Sequence, residues 1–490
     1  MTTDAPPRPK ARAPRGFQDR RADALAVERK ILTAVSGVYE TYGFELLETG
    51  ALEHADALGK FLPDADRPNE GVFALQDDDD QWLALRYDLT APLARFVAEQ
   101  NDSLSKPFRR YAFGPVWRNE KPGPGRYREF LQCDADTIGS DRPEADAEMI
   151  AMAVEGYGAA GLPSSAFTLR INNRKLLNGL LTAAGVGDPG QKLAVLRAVD
   201  KLDRLGATGV AALLGSGRKD ESGAFTKGAG IASTAIDSVL AFVVAARETR
   251  AATLDRLAQI VGGSMEGDEG LTELSRIGDA LTRLGVADCQ AVFDPSIVRG
   301  LEYYTGAVFE AELSLQTPGD HGEPVRFGSI GGGGRYDDLI ARFTGQRMPA
   351  TGFSFGVSRL AAALAAAGGG LKKARGPVVI LALDGALMGE YFALAGELRA
   401  CGVAAEVYLG ASGMRAQMKY ADRRLSPAAV IMGGDEMAAG TVTIKDLDLG
   451  RSLAGSVTDN RTWRDDRPGQ ITVPRADWLA RVRRIVEAVE

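Results

Sequence analysis

Apolar residues recur at helical spacing from about Arg21 to Tyr42, at Leu25, Val27, Ile31, Leu32, Val35, Val38 and Tyr39. That pattern predicts an amphipathic helix, and Gly43 ends it. The period then shortens. Phe73 to Asp77 and Gln81 to Arg86 flank Asp77–Asp80, which reads as a hairpin with a solvated acidic turn. β-like runs follow at Arg110–Arg118, Glu129–Asp136 and Phe167–Ile171, with a helix predicted from Pro143 to Gly161. From about 175 to 285 the chain is rich in Ala, Leu, Gly and charges at helical spacing, which predicts a helical insertion. Strands return at Ala291–Asp294, Tyr303–Glu312 and Phe327–Ile330, and Ala361–Lys373 reads as a helix running into a linker. Beyond Gly376 strands and helices alternate, the pattern of a small α/β domain, whereas the first part predicts a mostly antiparallel α+β domain.

Composition narrows the function classes. An apolar share of 45% and a charged share of 25% are ordinary for a folded soluble protein. Lys and Arg total 58 against 65 Asp and Glu, so a uniformly basic nucleic-acid coat is excluded while a local basic face is not. No apolar stretch approaches the ~18 residues of a membrane span, and the amino end lacks the apolar core of a signal peptide. Residues 1–15 read as a basic arm rich in proline. With three scattered cysteines and only His54 and His321, a Cys/His zinc site or a histidine-based nucleophile engine is not expected. A reduced, cytoplasmic setting fits these cysteines. His54 reads as a surface helix position and His321 as a turn. Chemistry should therefore rest on arginines and carboxylates.

Three segments carry such residues. The first runs Arg118-Asn-Glu120-Lys-Pro-Gly-Pro-Gly-Arg126-Tyr-Arg128-Glu-Phe130-Leu-Gln132: a strand, a Pro/Gly loop and a second strand. Guanidinium groups hold phosphate through forked, permanently charged donors, so this is a plausible triphosphate clamp, although a solvated turn would look the same. The second is Arg299-Gly-Leu-Glu-Tyr303-Tyr304, and the third Gly331–Gly334 followed by Arg335 and, further on, Gly352 to Arg359. Four consecutive glycines imply close approach by a ligand or another chain, or else a flexible loop. They open no helix after a parallel strand and lack Gly-Lys-Ser/Thr, so neither a dinucleotide fingerprint nor a P-loop is present.

Taken together, the segments resemble motif 2, the histidine-specific signature and motif 3 of the histidyl-tRNA synthetases, a class II aminoacyl-tRNA synthetase family. Pro14-Arg-Gly-Phe17, Leu85–Pro92, Gln417–Asp422 and Gly433–Lys445 match as well, so the resemblance spans about residues 14 to 450. It implies an antiparallel sheet flanked by helices, a helical insertion and a C-terminal α/β anticodon-binding domain. The expected boundaries are 16–180 and 286–372 for the catalytic domain, 181–285 for the insertion, and 373–490 for the anticodon domain with an extension. It also implies ATP and magnesium, histidine and its tRNA as partners, and a homodimer. By that resemblance Arg118, Arg299 and Arg359 are catalytic. Glu120, Arg126 and Phe130 join Arg118 and Arg359 around ATP. Asp88, Leu89, Thr90 and Gln132 hold the amino-acid end, and Asp136, Tyr303 and Tyr304 read the imidazole. The glycine run would form the pocket floor, where a Cβ would collide with ligand.

Some positions depart from the family pattern. Leu131 stands where the family usually has His; the motif 2 loop, with Asn119, Lys121, Gly123 and Pro124, is small; and the usual motif 1 proline is absent around Glu48-Thr-Gly50. The small loop and Leu131 predict weak reading of the extra 5′ guanosine typical of histidine tRNA, with more weight on the anticodon. The alternative function is a catalytically silent paralogue that regulates ATP phosphoribosyltransferase. That family lacks the C-terminal domain and commonly loses the arginines retained here.

Overall fold

The computed structural model describes residues 10–61, 71–123, 127–219, 223–261, 263–298, 304–314, 316–318, 324–326, 328–366, 375–454 and 469–488. The chain divides into two units, 1–370 and 371–490.

An eight-stranded sheet forms the first unit. Its strands in chain order are β1 (Glu45–Leu46), β2 (Phe108–Trp117), β3 (Glu129–Ile138), β4 (Phe167–Asn173), β5 (Ala291–Phe293), β6 (Ala307–Leu313), β7 (Ser329–Arg335) and β8 (Ala350–Gly356). Across the sheet they lie β1-β2-β3-β8-β7-β6-β4-β5. Every interior pair is antiparallel; the two outermost pairs, β1 with β2 and β5 with β4, are parallel. The expected antiparallel sheet is therefore a mixed one, closed at each edge by a short strand that returns over a helix.

Helices α1 (Ala22–Thr41), α2 (Thr90–Glu99), α3 (Pro143–Ala159) and α4 (Val357–Ala366) pack on it. Gly43, at φ +79°, turns the chain out of α1. Pro143 starts α3 with Glu144 and Asp146 in its first turn, where the helix dipole favours acids. One face of the sheet is covered by α1 and α3 through a core that includes Ile31, Val35, Tyr39, Tyr157 and Phe355. On the other face α2 supplies Leu93, Ala94 and Val97 against Phe108, Ile138 and Tyr336.

Among the described residues six helices lie between Arg174 and Arg283, interrupted by a small hairpin of Gly217–Lys219 with Phe225–Lys227 that the helical periodicity does not announce. The predicted strand beginning at Tyr303 starts at Ala307 instead. His54 is exposed, but on a strand (Leu52–His54) rather than a helix. His321 lies outside the described residues. The acidic turn is self-bonded, with Asp77 Oδ1 accepting from the backbone N–H of Asp79 and Gln81 at 3.0 and 2.8 Å.

In the second unit β9 (Val378–Ile380), β10 (Ala405–Val407), β11 (Ala428–Ile431), β12 (Thr441–Asp446) and β13 (Gln470–Pro474) form one sheet, ordered β10-β9-β11-β12-β13. The first three are parallel and the last two antiparallel. Buried Gln417 fixes the end of β9, donating to the Ala382 and Ser412 carbonyls and accepting from the Ala382 N–H. Glu436 Oε2 accepts from the Gly433 backbone N–H at 2.9 Å, closing the first turn of the short helix Gly434–Ala439. Two of the sequence motifs are thus explained by local structure.

Candidate active site

Side chains alternate along β3, so Phe130, Gln132, Asp134 and Asp136 share a face while Leu131, Cys133 and Ala135 share the other. Asp134 and Asp136 are each 2% exposed. In register with them lie small residues: Ala112 and Ser354 beside Asp134, and Gly352 beside Asp136. An added Cβ on Gly352 would stand 2.0 Å from Asp136 Oδ1, so glycine makes room for the carboxylate.

Asp136 has a protein neighbour at each oxygen, yet its Oδ2 accepts no hydrogen bond among the described residues. Arg110, in register on β2 and 1% exposed, places Nη2 2.8 Å from Asp136 Oδ2 and also donates to the Leu89 carbonyl at 2.8 Å. The Tyr336 hydroxyl donates to Asp136 Oδ1. Burial raises the Asp136 pKa, opposed by Arg110 and Tyr336. Asp134 is pushed up to about 8, first by burial and then by Asp136, with Arg110 and Ser354 opposing.

The segment before α2 folds over this face. Asp88 Oδ1 accepts from the backbone N–H of Thr90 and Ala91 at 3.1 and 2.9 Å, closing the first turn of α2. Burial raises the Asp88 pKa, and those two N–H groups together with Arg118 work against it. At the far end of β2, Arg118 donates from Nε to the Tyr87 carbonyl at 3.1 Å, and its guanidinium lies 5.1 Å from the Phe130 ring centre. Arg359 on α4 donates to the Ser329 carbonyl at 2.7 Å. Half-buried Tyr304 packs beside Gly334, where a Cβ would come within 2.9 Å of its ring.

Asp88, Leu89, Arg118, Phe130, Gln132 and Asp136 thus meet on one face, with Thr90 opening the helix above it. Glu120 does not join them: its side chain is exposed and its carbonyl accepts from Arg128 Nε at 3.0 Å. Arg126, Arg299 and Tyr303 lie outside the described residues. The amino-terminal turn matters too. Arg118 N–H donates to the Arg128 carbonyl, and Arg128 N–H donates to that of Gly16, so Pro14–Phe17 is tied to the base of the Arg-rich loop.

Two expectations need correction. The glycine run is not a loop; it is β7, at the centre of the sheet, with Gly332 and Gly334 in register with Ser354 and Gly352 on the face of Asp134 and Asp136. A Cβ would meet the Tyr157 hydroxyl at 2.3 Å from Gly331, the Gly352 carbonyl at 2.0 Å from Gly333 and the Ala307 carbonyl at 2.5 Å from Gly334. Only Gly332 is comparatively open, 3.3 Å from the Phe309 carbonyl. The protein's own atoms demand these glycines. Leu131, second, points to the helix-covered side against the core, and its N–H donates to Ser358 Oγ at 3.0 Å. It is no neighbour of the loop.

Three residues of the site were not singled out from the sequence: Arg110, Asp134 and Tyr336. Asp134 was legible by period two, since it stands between Gln132 and Asp136. Arg110 and Tyr336 become visible only through register and packing. Arg335, beside the glycine run, proves internal: it pairs with Asp146 at 2.7 Å and donates to the Ser140 and Arg142 carbonyls ahead of α3. Arg86, 5% exposed, donates to the carbonyls of Thr49 and Pro115, anchoring the stretch where the motif 1 proline is missing.

A family profile described as histidyl-tRNA synthetase matches residues 16–360, and one described as an anticodon binding domain matches 377–462. The chain is 70% identical to a histidine–tRNA ligase of Caulobacter vibrioides, covering 99% of this chain and 100% of that protein. It is 53% identical to one of Cereibacter sphaeroides, covering 97% and 98%. Among solved structures it is similar to a histidyl-tRNA synthetase from Nostoc sp. PCC 7120, with 28% identity, a TM-score of 0.72, and coverage of 97% and 100%.

Proposed function

From the premise that the chain belongs to the histidyl-tRNA synthetase family, we propose which of its residues carry the reaction. The activity is that of a histidine–tRNA ligase: histidine and ATP give histidyl-adenylate and pyrophosphate, and the acyl group then passes to the tRNA terminal ribose. The regulatory alternative is not favoured, given relatives of that activity at high identity along the full chain.

The substrate carboxylate attacks the α-phosphate in line and pyrophosphate leaves. Charge builds on phosphate oxygens, so fixed cations suffice and no protein nucleophile is needed. Arg118 and Arg299 take the α-phosphate, with Arg118 also meeting the histidine carboxylate. Arg126 and Arg359 take the outer phosphates, Phe130 stacks on adenine and Glu120 meets its amino group. Asp88, Leu89, Thr90 and Gln132 hold the α-amino end. Asp136 accepts an imidazole N–H while Tyr304, with Tyr303 beside it, serves the other ring nitrogen; one acceptor and one donor match a neutral imidazole. Magnesium would arrive with ATP and neutralise phosphate charge.

Residues 16–180 and 286–372 form the catalytic domain in this reading, 181–285 the insertion, and 373–490 the anticodon-binding domain with its extension. The enzyme works as a homodimer in the cytoplasm; no helix among the described residues is long and apolar enough to cross a membrane.

The observation that carries the residue assignment is the convergence of Asp88, Arg118, Gln132 and Asp136 on one sheet face. Its test is amino-acid-dependent exchange of pyrophosphate into ATP with all twenty amino acids. Exchange with histidine alone is expected. Exchange with none would remove the reading.

A further inference from the structure

Four buried acceptors at the site have no hydrogen-bond donor among the described residues: Asp88 Oδ2, Gln132 Oε1, Asp134 Oδ1 and Asp136 Oδ2; the last has Arg110 Nη2 2.8 Å away, and the first three stand in no ion pair among the described residues. An orphaned buried acceptor costs about 1–3 kcal/mol, more when charged. The first three, on one pocket, imply a ligand that brings donors. Gln132 is fixed by its own amide, which donates to Ser354 Oγ at 2.8 Å and leaves its oxygen turned from that bond. Asp134 is the next residue along the same strand face, flanked only by Ala112 and Ser354. Asp88 uses one oxygen on α2 and keeps the other. Asp136 differs in having the Arg110 guanidinium beside one oxygen and the Tyr336 hydroxyl on the other.

We propose that Asp134 is a histidine-binding residue, accepting an N–H of the substrate's α-ammonium group alongside Asp88 and Gln132. An ammonium has three N–H donors and one positive charge, which matches these three acceptors and relieves two buried carboxylates together. Arg110 opposes the raised pKa of both Asp134 and Asp136 while pairing only with Asp136, so one guanidinium serves two buried carboxylates. The inference rests on the histidine-binding reading above and adds a residue to it.

Binding should also expel a proton. With its carboxyl held up at about 8, Asp134 is largely protonated at neutral pH, and an ammonium beside it favours the ionised form. The groups facing it are Arg110 on β2, Asp136 on β3, Ser354 on β8, and Asp88 and Arg86 ahead of α2. On the core side Asp134 in turn helps to raise the pKa of Cys133 and Tyr39, and it opposes the burial that lowers that of Arg86.

The test is calorimetric binding to the full chain of histidine, of its hydroxy analogue 2-hydroxy-3-(imidazol-4-yl)propanoate, and of ATP. For Asp134→Asn, histidine affinity should fall at least about 30-fold. The hydroxy analogue should change less than about threefold and ATP less than about twofold. Unchanged histidine affinity would overturn the proposal, as would equal loss for histidine and its analogue, the mark of a merely structural role. If the variant does not fold, the wild type decides: at pH 8 histidine binding should release about half a proton, seen as a heat that depends on the buffer. No release beyond histidine's own titration would overturn it. A wild type that binds no histidine would defeat the parent reading itself.

Discussion

Arg110 ties β2 to the Leu89 carbonyl and to Asp136 at once. Truncating one partner of a buried ion pair typically costs about 3–5 kcal/mol, because the other charge is left without its counterion. Arg110→Met is expected to lose stability in that range by urea denaturation, with Arg118→Ala far less affected. Asp134 gives a second prediction. Its pKa is raised on folding, so the folded chain binds more protons than the unfolded chain, and this contribution to stability is lost as pH rises toward about 8. Without histidine, Asp134→Asn should therefore melt higher than the wild type at pH 8, with the gap closing toward pH 5. A gap that widens toward acid would contradict that sign. The sequence made Asp88, Arg118, Gln132 and Asp136 legible through resemblance, and period two placed Asp134 among them. It could not show that Asp136 is shared with Arg110 and Tyr336, because those contacts depend on how β2 registers against β3 and on a chain reversal some 200 residues later.

Strand β7 shows how an element can be read for its composition and missed for its conformation. Glycine lowers strand propensity, so four in a row suggest a loop. Here the neighbours decide: β6 and β8 pair with it on both sides, and the side chains of Tyr157, Phe309 and Phe353 fill the volume a Cβ would take. Gly333→Ala should cost several kcal/mol or prevent folding, because the collision at 2.0 Å is with backbone that no rotamer change relieves. Gly332→Ala, with 3.3 Å to its nearest atom, should fold and be judged by histidine binding instead. The amphipathic pattern of α1 was legible to within a residue at either end, since its apolar stripe faces the sheet throughout. The hairpin inside the helical insertion was not, its strands being short and largely exposed.

At the scale of the whole molecule, each unit has a core of its own, with Tyr391, Leu398, Val430 and Trp478 among the buried residues of the second. Every proposed phosphate and amino-acid contact lies before residue 360. A chain ending at 373 should therefore still exchange pyrophosphate with histidine, and should charge tRNA poorly for want of the anticodon grip. Charging as efficient as that of the full chain would refute the role of residues 373–490. With Leu131 turned into the core, the case for weak reading of the 5′ guanosine now rests on the small loop around Gly123 alone. Matched transcripts should show anticodon changes costing more than removal of that nucleotide. A loss of ~10³ on removing it, about 4 kcal/mol, would show that the loop still reads that end.

The glycine strand also leaves a mark on the gene. All glycine codons share their first two bases, so any change there puts a side chain, or a stop, where the backbone of a neighbouring strand or a packed ring already stands. In the codons for Gly331, Gly333 and Gly334, only the third base is free to drift. The codon for Gly332, whose position is crowded least, is where inherited variation in this run should first appear.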